Sequence, residues 1–271
     1  MNSNEPNVPA ELFPSIAAQL RAALTNLHFA AAAMAPAEAR ERDPKLDESA
    51  ALFDQAYYRL VRIADNLTDA EYLSRQAAEP PAEHDIVAVV SDLCNQATSL
   101  ADLKKLHLTF TAQEKFHICA FYKSSLEKLL FQLLSNAFKF TPEGGVIAVD
   151  LKFSGGQVLL SVSDTGCGIS EELLPSLFDR YLHSDLMNPP PHGLGLGLPL
   201  CRRIAEQHGG SIVAESKVGE GTRITLSIPD EENGRAPVSD VPFDYAGGFN
   251  RTLLALSDAL PAQAFRLKEQ D

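Results

Sequence analysis

Two stretches of helical periodicity open the chain, between about residues 10 and 77. Leu12, Ile16, Leu20, Leu24 and Leu27 recur at intervals of four and three, so the spacing predicts an amphipathic helix. Ala30 to Ala33 prolong it with the best helix former. Pro36 and the charged stretch Glu38 to Asp47 then break the pattern. A second stripe follows, Leu52, Ala56, Leu60, Ile63, Leu67 and Leu73, again on one side. A helix pair on its own buries little area, so the pattern predicts doubling with a second copy into a four-helix bundle. The alternative is packing against the chain's own downstream domain.

Pro80-Pro81 marks a linker. Beyond it the period switches between two and 3.6: Leu106 to Thr111 and Val146 to Phe153 alternate as strands, and Ser124 to Phe138 reads as a helix. Ser124 with Glu127 has the spacing of a capping box. After Pro237 a short helical stripe of Phe249, Leu253, Leu256 and Leu260 closes the chain. The boundaries are 1–79, 80–229 and 230–271.

Length and composition narrow the classes. A chain of 271 residues predicts one or two domains plus tails, and 45% hydrophobic residues can build real cores. A formal net charge of -13 disfavours nucleic acid and anionic membrane as main partners. The apolar run Leu27 to Ala35 is interrupted by His28 and falls far short of the ~20 residues that span a bilayer. Met1 to Pro9 has no signal-peptide character, and no sensor domain, receiver domain or anchor is expected. Cys94, Cys119, Cys167 and Cys201 form no paired or metal-type spacing and read as reduced thiols of a cytoplasmic protein.

The chemistry lies in three glycine- and polar-rich boxes. Asp164-Thr165-Gly166-Cys167-Gly168-Ile169 follows the apolar run Val158 to Val162, with glycines two and four residues after the acid. Its carboxylate can accept a hydrogen bond from an exocyclic amine, and glycines allow close backbone approach. Upstream stands Asn136-Ala137-Phe138-Lys139-Phe140-Thr141, and downstream Gly193-Leu194-Gly195-Leu196-Gly197-Leu198, with Gly219-Glu220-Gly221-Thr222 after it. Taken singly, Asn136 could cap a helix, Phe178 could be core, and Gly209-Gly210 reads as a helix end.

In this order the boxes resemble the ATP-binding domain of sensor histidine kinases, within the wider family of gyrase B, Hsp90 and MutL. The resemblance covers about Pro80 to Ile228. It implies an α+β chain: an N-terminal helical hairpin, as a dimeric four-helix bundle, followed by an α/β sandwich with ATP held under a mobile lid. It implies that Asn136 holds Mg²⁺, Lys139 faces phosphate, Phe140 walls the base and Asp164 takes the adenine amine. Gly166 and Gly168 would give the close approach, and Thr222 would place a hydroxyl near the base. Leu177-Phe178 would support a lid at Tyr181 to His192. Gly193, Gly195, Gly197 and Leu198 would lead into a helix whose N–H groups suit phosphate. Gln132 stands where the hydrolytic relatives carry a water-activating acid, so an efficient ATPase is disfavoured.

The hairpin resembles the kinases' dimerisation and phosphotransfer domain, through Tyr58 to Leu67 and through Leu20, Arg21, Leu24 and Thr25. Against the family pattern H-E-L-R-T-P-L-T, however, Ala18 replaces the acceptor histidine, Gln19 the acid, Ala22 the polar residue and Ala23 the proline. His28, ten residues on, lies ~15 Å further along the helix. No catalytic residue is assigned. The leading expectation is a cytoplasmic, dimeric, ATP- and Mg²⁺-binding signalling protein without the standard autophosphorylation, and with a possible protein partner. A kinase acting on a partner or an unusual acceptor, and a non-enzymatic nucleotide-gated interaction module, are the rivals. Cys167, inside a box, offers a thiol whose modification could block the pocket.

Overall fold

The structure, a computed structural model, describes residues 13–72, 80–179, 197–236 and 250–267. The first helix, α1 (Phe13–Met34), is continuous, and a short α2 (Ala37–Arg42) leads to the long α3 (Pro44–Tyr72). The charged stretch expected to interrupt the helices is therefore itself largely helical. Pro44 opens α3, where a missing N–H costs nothing, and Asp43 Oδ1 accepts from Lys45 N at 3.0 Å. Arg40 bridges Asp47 and Asp54 of α3, each at 2.9 Å.

The predicted stripes face mostly outward. Leu24 is buried, but Ile16, Leu20 and Leu27 on α1 and Leu52 and Leu60 on α3 are exposed. The face turned inward is instead Ala17 and Leu24 against Ala51, Tyr57 and Ala64, with Arg21 tied to Asp65 at 2.8 Å and Thr68 at 3.0 Å. Small residues let the two helices approach closely, which leaves the larger aliphatic side chains outside.

Next come β1 (Ala82–Asp85), α4 (Ile86–Leu103), β2 (His107–Ala112), β3 (Ile118–Phe121) and α5 (Lys123–Phe140). They are followed by β4 (Val146–Ser154), β5 (Gln157–Asp164), α6 (Gly197–Gln207), β6 (Ser211–Lys217) and β7 (Gly221–Pro229). The main sheet runs β2-β4-β5-β7-β6, parallel only at β2–β4, and β1 pairs with β3 separately. Alternation along the strands turns Ile147, Val149, Leu151, Val158, Leu160 and Leu226 to one core with Leu129, Leu133, Leu134 and Ile204 of the helices. This helix-on-sheet sandwich is the α+β arrangement expected from the sequence.

The expected capping box is absent. Helix α5 begins one residue earlier than Ser124, its N-cap Tyr122 makes no side-chain cap, and Ser125 is buried inside the helix. A tertiary contact satisfies that end instead, because Tyr122 N donates to His208 Nε2 at 3.0 Å. His208 Nδ1 is 2.8 Å from the Ile204 carbonyl oxygen, so the neutral ring donates at one nitrogen and accepts at the other. Burial holds this imidazole below its usual pKa, against the pull of its backbone bonds to Ile204 and Tyr122. Its contribution to stability is therefore present above about pH 6.5 and lost as pH falls through the lowered folded value. Chemical unfolding between pH 7 and pH 5 should show a steeper loss for the native protein than for His208→Gln; equal slopes would refute the assignment.

The last elements are α7 (Arg251–Leu256) and a 3₁₀ turn at Ala262–Phe265. The Asn250 side chain caps α7 by accepting from Thr252 N and Leu253 N. Leu253, Leu256 and Leu260, the stripe read from the sequence, are buried; Phe249 lies outside the described residues. Cys94, Cys119 and Cys201 are buried free thiols, and Cys167 is exposed. Burial pushes the thiols of Cys94 and Cys119 up to about 12, which keeps them inert.

Candidate nucleotide site

Asp164 ends β5, and its register partner on β7 is Thr222. Asp164 Oδ1 accepts from Gly166 N at 2.8 Å, closing a turn on itself. Burial raises the carboxyl pKa, opposed by the backbone bonds from Gly166 and Thr222. A half-buried acid held by two backbone donors is oriented before any ligand arrives, which is what selective recognition of an amine requires.

The glycines have reasons internal to the chain. A Cβ on Gly166 would lie 2.6 Å from the Phe140 carbonyl oxygen. At Gly168, with φ +69°, a Cβ would meet the Lys217 carbonyl oxygen at 2.1 Å. Gly221, at φ +113°, lies so close to Asp164 that a Cβ would be 1.9 Å from its carbonyl oxygen. The close approach that the sequence predicted is thus made between chain segments, and it packs the end of α5, the Asp164 turn and the β6–β7 hairpin together.

That packing gathers the boxes. Cys167 N donates to the Phe140 carbonyl oxygen at 3.3 Å, joining the Asp164 turn to the end of α5. Asn136 and Lys139 occupy the last turns of the same helix. A Cβ on Gly197 would be 2.9 Å from Gln132 Oε1, which places the start of α6 one turn of α5 before Asn136. Leu198 and Phe178 pack against the core. Gly193, Gly195 and the expected lid at Tyr181 to His192 lie outside the described residues. Gly209 takes φ +70° and Gly210 N donates to the Ala205 carbonyl oxygen at 2.9 Å, so this glycine pair ends α6.

Two sets of interactions were not read from the sequence. Ser216 accepts from Ile169 N at 2.8 Å and donates to the Gly221 carbonyl oxygen at 2.8 Å. Its single proton is then committed, so Thr222 Oγ1, 2.9 Å away, is the donor in their contact. The alternation of β6 was the only available signal for Ser216. The second set is ionic. Arg62 of α3, 5% exposed, reaches Ser135 Oγ at 2.9 Å, Gln132 Oε1 at 2.8 Å and Asp258 Oδ2 at 3.5 Å. Gln132 Nε2 also donates to Asn66 Oδ1 at 3.0 Å. Lys139 Nζ lies 3.3 Å from Asp258 Oδ2, with its side chain 9% exposed, so in this structure the lysine expected at phosphate faces a carboxylate. Burial lowers the Lys139 pKa, countered in part by Asp258.

Among the described residues no three or more His, Cys, Asp or Glu side chains gather as metal ligands. Nor is any described helix long and apolar enough to cross a membrane.

Residues 122–232 match the family described as "Histidine kinase-, DNA gyrase B-, and HSP90-like ATPase". The sensor protein SrrB of Staphylococcus aureus is 31% identical over 194 residues, covering 69% of this chain. The chain spans about a third of the length of that relative, 32%. Among solved structures, full-length ShkA in complex with AMPPNP superposes with a TM-score of 0.65 at 22% identity, over 83% of this chain and 47% of that one. Histidine kinase ThkA in complex with the response regulator protein TrrA gives a TM-score of 0.53 at 21% identity, over 64% of this chain and 48% of that one. The structural likeness establishes the fold, with the helices as well as the sandwich. Residues 122–232, with Asn136 on α5 and Asp164 at the end of β5, are thus an ATPase domain of the histidine kinase, DNA gyrase B and HSP90 type, in a chain similar over 194 residues to a sensor protein.

Proposed function

We propose that this chain is a histidine-kinase-like signalling protein that binds Mg-ATP at the Asp164 turn and whose hairpin has lost the standard phosphoacceptor. The observation that carries the reading is α1 itself. It runs unbroken through the strip where the acceptor belongs, and Ala18, Gln19, Ala22 and Ala23 are all exposed there, with no nucleophile among them. Ala23 in place of proline restores a backbone donor, which accounts for the unbroken helix. Thr25, nearest in the strip, donates its hydroxyl to the Arg21 carbonyl oxygen at 2.8 Å. His28 is stacked on Tyr57 with ring centroids 4.4 Å apart and faces Asp54 at 3.8 Å. In the proposed site Asp164 orients the adenine, Asn136 holds Mg²⁺, Phe140 and Thr222 line the base, and the N–H groups opening α6 at Gly197 and Leu198 meet phosphate. Magnesium would neutralise the phosphates.

The ATPase fold kept beside an empty acceptor strip also fits a kinase whose phosphate goes elsewhere, to a protein partner or to an unusual residue of its own. Incubation with γ-phosphate-labelled ATP and Mg²⁺ separates the two. The expected result is ATP binding with no stoichiometric label on the chain. A label mapped to one residue would overturn the proposal in favour of an active kinase.

The same reading makes the chain a cytoplasmic homodimer through the hairpin. Ile16, Leu20 and Leu27 of α1, with Leu52 and Leu60 of α3, leave an apolar stripe uncovered, and a second copy would bury it in a four-helix bundle. Light scattering should return twice the 29.4 kDa chain mass at micromolar concentration. A monomer mass would refute it.

A further inference from the structure

The C-terminal elements do not hang from the surface; they are wedged between the hairpin and the ATPase domain. On the domain side, Thr252 Oγ1 donates to Gln96 Oε1 of α4 at 2.9 Å. On the hairpin side, Gln55 Nε2 donates to the Leu260 carbonyl oxygen at 2.6 Å and Arg59 Nε to that of Ser257 at 3.2 Å. Arg40 Nη2 takes the Phe265 carbonyl oxygen at 3.0 Å, and the Phe265 ring lies 5.2 Å from that of Tyr58. Between these anchors the fully buried Leu256, Ala264 and Phe265 complete the core. At the centre sits Asp258, one carboxylate facing two buried cations, Lys139 at 3.3 Å and Arg62 at 3.5 Å.

We propose that residues 250–267 act as an autoinhibitory clasp, in which Asp258 occupies the Lys139 ammonium and withholds it from nucleotide phosphate while the same segment holds the hairpin on the ATPase domain. This rests on the reading of Lys139 as a phosphate-facing residue. The carboxylate that Lys139 and Arg62 share carries a single negative charge, whereas a nucleotide's phosphates carry several. Phosphate and Asp258 are therefore competing anions for one ammonium. Neither can be removed without replacement, because a buried cation left unpaired is costly. Competition of this kind is reciprocal: whatever factor the clasp takes from ATP affinity, bound ATP takes from the clasp. Release of the segment frees both Lys139 and the face of α3 that it covers, so nucleotide occupancy is transmitted to the hairpin.

Two measurements on the full chain test this. Titration with Mg-ATP should show Asp258→Asn, verified as folded by circular dichroism, binding roughly fivefold or more tightly than the native protein. Hydrogen exchange on the unaltered protein needs no variant: saturating Mg-ATP should accelerate amide exchange across residues 251–257. Equal or weaker ATP affinity of Asp258→Asn, or unchanged exchange in that segment at saturation, overturns the clasp. If ATP binds the native protein and is lost on Asp164→Asn while either of those results is obtained, the clasp alone falls. Absence of ATP binding in the native and Asp258→Asn proteins alike removes the nucleotide site and the clasp together.

Discussion

Asp164→Asn is expected to weaken ATP binding by roughly one to two orders of magnitude, the equivalent of losing one charge-assisted hydrogen bond of about 1.5–3 kcal/mol. The carboxylate accepts from Gly166 N at 2.8 Å and from the backbone of Thr222. An asparagine can satisfy one of these donors with its oxygen, but its NH₂ then confronts the other donor or the adenine amine. The substitution preserves shape and removes only acceptor capacity. Calorimetric titration with Mg-ATP against the native protein measures the loss; unchanged affinity would remove Asp164 from the site. Cys167 alkylation is a poor substitute for this test, since its exposed thiol lies beside the turn and a bulky adduct disturbs packing and ligand alike.

Arg62→Ala should cost about 3 kcal/mol of stability, the low end for removing one partner of a buried ionic group. The low end applies because Asp258 keeps Lys139 as a second partner. Burial pulls the guanidinium below its usual range and Asp258 pushes it back, so the charge persists. Its loss leaves Ser135 Oγ and Gln132 Oε1 without the donor that satisfies them. These bonds join α3 to α5, so the hairpin should also loosen from the ATPase domain. Denaturant unfolding of the two proteins reads the first effect, and proteolysis between residues 72 and 80 reads the second. A difference below about 1 kcal/mol would mean that the network is peripheral.

Gln132 joins the two domains of this chain. At the position where hydrolytic relatives carry an acid, it accepts from Arg62 and donates to Asn66, both on α3. A carboxylate could take the first of these bonds and not supply the second. The amide therefore completes a bridge to α3 that a carboxylate would leave half made.

Much of the molecule was legible along the chain. The strand and helix periods of the ATPase domain placed β2, β4 and α5 nearly where they stand, because local alternation there coincides with burial. The three boxes were legible as a set, because each alone has an ordinary structural reading and only their order is specific. The hairpin stripes were read correctly as helical, but the residues packed between α1 and α3 were not picked out. Periodicity reports that a face is apolar, but it cannot report what covers it: Ile16, Leu20 and Leu60 are exposed while the small Ala17, Ala51 and Ala64 are buried. The capping box at Ser124 was lost for a related reason, since a donor from β3's end found His208, 86 residues away, and the local cap was unnecessary.

The amino-acid sequence by itself therefore carried the resemblance to the histidine kinases, the helix and strand periods of the ATPase domain, the box in which Asp164 is proposed to meet adenine, and the alanine at position 18. These are properties of residue type at fixed spacing. The tertiary structure alone decided that Lys139 faces Asp258, that Arg62 is a buried bridge and that residues 250–267 are wedged between hairpin and ATPase domain. Each of these pairings joins residues about 70 to 200 positions apart, and charge complementarity over such distances becomes specific only when packing brings particular side chains together in a medium of low dielectric.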